Sequence, residues 1–148
     1  MGKSGKGVYI RVHAKSRRKA ERKLRKLTSR SQGRKLDTIL ENIKVFMRGW
    51  LGYYAIADTG KYLKDLNSWL RRRIRMYIWK QWKLPRTRVE NLKKLGMSDK
   101  KAYMNGNTRK GYWAVAGSCI LNTTITNERL ERRGYYDISK AYKSLHSI

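Results

Sequence analysis

Carboxylates are what this chain most lacks: 10 Asp and Glu stand against 37 Lys and Arg, a formal net charge of +27 over 148 residues. A run of like charge usually reads as a solvated face stitched by i,i+4 ion pairs, and acids are too few here to stitch one. Self-repulsion at this charge opposes compaction, so a polyanionic partner is expected. Nucleic acid leads, because each phosphate neutralised releases counterions. An anionic membrane surface is the rival.

Other absences narrow the field. One cysteine, Cys119, excludes an internal disulfide and a cysteine-rich zinc site; it reads as a small buried hydrophobe. His13 and His146 lie far apart and read as surface residues. No stretch approaches the ~18 apolar residues of a membrane span, and MGKSGKGVYIRVH has no apolar signal core. The expectation is a soluble, cytoplasmic chain with no membrane, metal or cofactor. Asp37, Asp58, Asp65, Asp99 and Asp137 are isolated from one another, so no adjacent pair is available to hold two Mg²⁺ ions. GKSGKG lacks the preceding strand and the spacing of a P-loop. By itself the chain is not expected to be an enzyme.

What is present is enough for a core, since 40% of residues are hydrophobic and 11% aromatic, too many for a disordered tail. Residues 1–14 read as a flexible lead-in and a short strand, with Val8, Ile10 and Val12 on one side. Ser16 is a candidate cap for a highly basic helix running to about Arg30. The clearest elements are two amphipathic runs in series, at 34–58 and 62–83, which hold four of the five Trp. In the first, Leu36, Ile39, Leu40, Ile43, Met47, Trp50, Leu51 and Tyr54 share a face. Gly49 and Gly52 lie to another side and are expected to permit close packing, since a helical Gly otherwise costs ~1 kcal/mol. Asp58 or Thr59 closes this run. In the second, Leu63, Leu66, Leu70, Ile74, Tyr77, Ile78 and Gln81 form the apolar face, and Pro85 stops the helix. Short helices are expected at VENLKKLG, from Ser98, and at TNERLERRGYYD and ISKAYKSL. The fold expected is all-α: a three-helix bundle over 15–88 with a short N-terminal strand and a small irregular helical appendage over 89–148.

The chemical signal is the cluster Arg71, Arg72 and Arg73 with Arg75, Lys80, Lys83, Arg86 and Arg88, along the second run and just past its end. Guanidinium forks match phosphate oxygens in pairs. Trp79 falls among these charges, placed to stack on a base. The loop holding Arg109, Lys110 and Trp113 mixes basic and aromatic groups and is a further candidate for RNA contact. Trp50, Tyr53, Tyr54, Trp69, Tyr77 and Trp82 read as core.

Several long words in order carry a resemblance: MRGWLGYYAIAD at 47–58, LNSWLRRRIRMYIWKQWKLPRTR at 66–88, NLKKLG at 91–96, NTRKGYWAVAGS at 107–118, TITNERL at 124–130 and RRGYYDISKAY at 132–142. Together they resemble the thumb (maturase-specific, or X) domain of bacterial group II intron reverse transcriptases. GVYIRVHAKS at 7–16 resembles the palm-to-thumb junction. The resemblance implies a helical thumb that grips group II intron RNA and an RNA/DNA template–primer duplex, assisting splicing and reverse transcription. It implies contacts through Arg71, Arg72, Arg75, Lys80, Lys83, Arg86, Arg88, Arg109 and Lys110, and a DNA-binding-like region after the thumb. The fingers and palm with their metal-binding Tyr-Ala-Asp-Asp box are not among these residues, so polymerase activity does not carry over. Two other readings stay open: an interaction subunit completing a separate fingers–palm chain, and a general basic DNA-binding protein.

Overall fold

The computed structural model describes residues 12–54 and 59–146, with the backbone of two short strands, β1 (Gly2–Ser4) and β2 (Gly7–Tyr9), paired antiparallel. The strand expected over Val8 to Val12 lies largely outside the described residues. The described body is helical, as expected. Its elements are α1 (Ala14–Leu27), α2 (Leu36–Tyr54), α3 (Gly60–Gln81), α4 (Pro85–Lys94), α5 (Asp99–Gly106), α6 (Tyr112–Ala116), α7 (Cys119–Asn122), α8 (Asn127–Arg133) and α9 (Ile138–His146). The chain divides into two compact units. One comprises Met1–Thr28, Arg34–Leu70 and Gly134–Ile148, the other Ser29–Gly33 and Arg71–Arg133. The division falls within α3.

The first unit is built on the stripes visible in the sequence. Ala20 and Leu24 of α1, Ile39, Leu40, Ile43, Met47, Trp50 and Leu51 of α2, and Leu63, Leu66 and Leu70 of α3 are all buried. The cap of α1 is His13, not Ser16: its Nδ1 accepts from the Lys15 amide at 3.1 Å. Buried Asn67 donates from Nδ2 to Asp137 Oδ1 at 2.9 Å and accepts from the Tyr135 hydroxyl. Asp137 also accepts from the Lys140 amide at 3.0 Å, capping α9 and tying the last helix to α3. The end expected for α2, at Asp58 or Thr59, lies partly outside the described residues. Gly49 and Gly52 do not serve close packing: nothing stands within 4 Å of a Cβ built on either.

In the second unit the latter part of α3 is buried without a break from Ile74 to Trp79. A single stripe cannot do that. The same unit supplies further buried apolar residues from its short helices and, at Ile125, from the turn after α7: Leu92, Ala102, Val115, Ala116, Ile120, Leu121, Ile125 and Leu130 are buried. Gln81, placed on the apolar face by its spacing, is exposed because α3 ends there. Pro85 opens α4 at its first turn, where a missing amide proton costs nothing. The end of α4 is a Schellman turn: Gly96 has φ +103°, its amide bonds Lys93 O at 2.9 Å, and the Met97 amide bonds Leu92 O at 3.0 Å. Gly106 of α5 lies against α4, where an added Cβ would stand 2.5 Å from Val89 Cγ2 and 2.9 Å from Val89 N. Cys119, expected to be buried, is exposed because it opens the one-turn helix α7.

Two glycine substitutions should therefore differ in sign. Gly49→Ala, in an open helix interior, should stabilise by about 0.5–1 kcal/mol; Gly106→Ala should destabilise by about 1–3 kcal/mol through overpacking. Urea denaturation of each variant measures both. A pH dependence follows from Tyr62, whose hydroxyl donates to Glu21 Oε2 at 2.9 Å. Burial first, then that bond and the Glu21 charge, push its phenol above its usual range, against the lowering influence of Arg17. Unfolded, the phenol ionises near 10, while folded it keeps its proton to higher pH. Above about pH 10 the unfolded chain thus binds fewer protons, and stability falls as pH rises. Tyr62→Phe should flatten that fall in a denaturation series spanning roughly pH 9 to 11.

Candidate nucleic-acid interface

The basic cluster of α3 resolves into two populations. Arg72, Arg75 and Arg88 turn into the second unit. Arg75 is 5% exposed; its Nε donates to Ile125 O at 2.7 Å and an Nη to Asn127 Oδ1 at 2.9 Å. Arg72 donates from Nε and an Nη to Trp113 O at 3.1 and 2.8 Å, its guanidinium 3.9 Å from the centre of the Trp113 ring. Gly117 makes room, since a Cβ there would fall 2.5 Å from the guanidinium carbon. Arg88 donates to Trp79 O at 3.2 and 3.1 Å. That oxygen is among the last four of α3, which a helix cannot satisfy internally.

Trp79 is placed otherwise than its position among the charges suggested. It is 1% exposed, with the Arg88 guanidinium 4.5 Å above its ring and Trp82 at 6.1 Å between centroids. Its indole is wall rather than platform. The reason is the second layer: α3 is enclosed at this level, so its nominally polar side is also interior. The stack continues outward, Arg88 lying 5.6 Å from the Tyr112 ring and Arg30 4.7 Å from the same ring. Trp113, 37% exposed, shows part of its ring but shares it with Arg72.

The outward population differs. Lys83, Arg86, Arg109 and Lys110 are exposed, and Arg71 and Lys80 half-buried. The contacts that unite candidate residues are Arg72 with Trp113 and Arg88 with Trp79. Among the described residues no hydrogen bond or ring contact joins Lys83 or Arg86 to Arg109 or Lys110. Arg30 and Tyr112, both outside the α3 cluster, take part in this stack. Nothing in their local spacing marks a partner so distant in the chain. Among the described residues there is no His, Cys, Asp and Glu group suited to a metal ion, and no helix is long and apolar enough to cross a membrane.

The class defined is a basic helical module that satisfies its inner arginines on neutral acceptors and leaves other cations facing solvent. The family model for the group II intron, maturase-specific domain matches residues 17–96, more than half of the chain. The chain belongs to that family. No curated protein matches it.

The inner and outer cations should separate on mutation. Arg75→Lys should cost about 1–3 kcal/mol, because an ammonium cannot reproduce the two-pronged bond and leaves a buried acceptor unmet. Lys83→Gln should stay within about 0.5 kcal/mol of the parent, as an exposed substitution. Thermal or urea unfolding distinguishes them.

Proposed function

We propose that this chain is an RNA-binding module that holds group II intron RNA, and the RNA/DNA template–primer duplex, by phosphate contacts, assisting splicing and reverse transcription. The observation that carries it is the charge of +27 on a chain of the intron maturase-specific family. Phosphate contacts position a protein without reading sequence, and duplex RNA is recognised chiefly by shape. The contacts on the second unit fall to Lys83, Arg86, Arg109 and Lys110, with Arg71 and Lys80 beside them in the same reading. Arg72, Arg75, Arg88 and Trp79 support this surface from within. The chain's own role is binding; copying RNA into DNA belongs to a parent protein with fingers and palm. Residues 89–148 serve as the DNA-binding-like region of that parent.

A second reading, an interaction subunit for a separate fingers–palm chain, draws support from α2. Val45 and Tyr53 are 64% and 79% exposed there, one helical face with Gly49. Primer extension that arises only when both chains are present would favour it.

Binding should weaken steeply with salt, log K against log[salt] sloping by ~−0.9 per duplex phosphate neutralised. The combined Lys83→Gln, Arg86→Gln, Arg109→Gln and Lys110→Gln variant should reduce that slope by roughly 3 to 4 in filter binding. An affinity indifferent to salt would sink the reading.

A further inference from the structure

Helix α1 carries the densest charge of the described residues, and the α3 cluster does not account for it. Lys15, Arg18, Lys19, Arg22, Lys23 and Lys26 are all exposed. At 100° per residue they fall within an arc of about 140°. The opposite side bears Ala20 and Leu24, both buried, so packing in the first unit turns the arc to solvent. Glu21, the one acid of α1, lies off the arc and accepts the Tyr62 hydroxyl. Arg17, also off the arc, lies 5.2 Å from the Tyr62 ring centre, and Arg25 lies 5.4 Å from the Trp69 ring centre. Among the described residues, none of the six makes an ion pair.

A solvated helix face is ordinarily eased by acids at i,i+3 and i,i+4. Along the arc those neighbours are Lys15 with Arg18 and Lys19, Arg22 with Lys26, and Lys19 with Lys23, all alike in sign; the one acid at such a spacing, Glu21 from Arg18, accepts the Tyr62 hydroxyl. Each like-charged pair works against the helix, and no acid first turn offsets it. The arrangement disfavours the free protein and favours contact with a dense, regular line of negative charge.

We propose that the outward face of α1 is a second phosphate-tracking surface, for duplex RNA. It rests on the RNA-binding reading above, and it lies on the other compact unit from Lys83, Arg86, Arg109 and Lys110. Lys15 to Lys26 spans roughly 16 Å of helix rise, while a duplex presents a charge every ~1.7 Å of axis, so the six cations face on the order of ten phosphates. The arc bears no Asn, Gln, Asp or Glu, the groups that pair with base edges, so contact is with the backbone and indifferent to sequence. A helix about 10–12 Å across does not enter the narrow A-form major groove; α1 rides the phosphate ridge beside the wide minor groove.

The test uses the full chain, a 20-base-pair RNA duplex of arbitrary sequence, and a variant combining Lys15→Gln, Lys19→Gln, Arg22→Gln and Lys26→Gln. The salt slope should shrink by roughly 3 to 4, while the thermal midpoint holds or rises, because like charges have been removed and Gln is a good helix former. A variant that keeps the parental slope overturns the assignment. So does one whose slope shrinks only together with lost helicity. Acylation of lysines in the unmodified chain gives a readout independent of the variant's folding. Lys15, Lys19, Lys23 and Lys26 should be protected by the duplex, and their full reactivity in its presence overturns the proposal. Protection by phosphatidylserine vesicles but not by RNA overturns it too, assigning the face to a membrane surface. If the unmodified chain binds no duplex at any salt, the RNA-binding reading fails with it; if it binds and α1 is indifferent, only this assignment fails.

Discussion

A guanidinium taken out of water needs acceptors, and this chain has few carboxylates to offer. Leaving such a group uncompensated costs several kcal/mol. The solution in the second unit is to use carbonyl oxygens and ring faces. Arg72, Arg75 and Arg88 bond the carbonyls of Trp113, Ile125 and Trp79, and two of the three also lie over indoles. Bonds to charged donors contribute about 1.5–3 kcal/mol each. Arg72 and Arg75 join α3 to segments 41 and 50 residues later in the chain. Helices of four to ten residues, as α4 to α8 are, are too short to persist alone. The arginines, with the apolar residues buried around Ile74 to Trp79, give those short helices something to fold against. The surface pair Lys93–Asp99, 3.9 Å apart and largely exposed, contributes little by comparison.

The long elements could be read from sequence because their burial is one-sided. Ile39, Ile43, Met47 and Leu51 recur at helical spacing, and so do Leu63, Leu66, Leu70 and Ile74; a wheel drawn on either finds the buried face. Helical spacing carries no such signal where burial is not one-sided. From Ile74 to Trp79 every residue of α3 is buried, so Arg75 and Trp79, polar-face residues on the wheel, are interior. The residues that enclose them sit in helices too short to show a period, and no change of composition marks Leu70 as the edge of a compact unit. Local details were hidden for other reasons. His13 caps α1 through a ring nitrogen that competes with an equally plausible serine, and Gly49 looks the same in sequence whether a neighbour touches it or not.

The candidate site was legible in its chemistry and not in its geometry. Composition alone points to polyanions. Which arginine stays on the surface and which is a clasp depends on partners far along the chain, such as Trp113 for Arg72, that no spacing rule reaches. Gly117 makes the point: its absent Cβ leaves the space that the Arg72 guanidinium fills, a role visible only once the two segments meet.

The two cations divide the labour in a way their solvation explains. The guanidinium–ring contacts at Tyr62, Trp69, Tyr112, Trp113 and Trp79 are all made by arginine. The guanidinium is weakly hydrated and planar, so it can be laid on a ring and drawn partly inside; an ammonium is compact and strongly hydrated and resists both. Four of the six cations on the open arc of α1 are lysines. They add charge to a surface without being drawn into its core. With acids so few, an arginine on that arc has more chance than a lysine of folding back onto a carbonyl or a ring, as Arg72 and Arg88 do. Lysine keeps the charge outside, where a phosphate can reach it. The positive excess therefore serves two ends in one fold: arginine turned inward for cohesion, and a mostly lysine face left open on the helix that has least to gain from it alone.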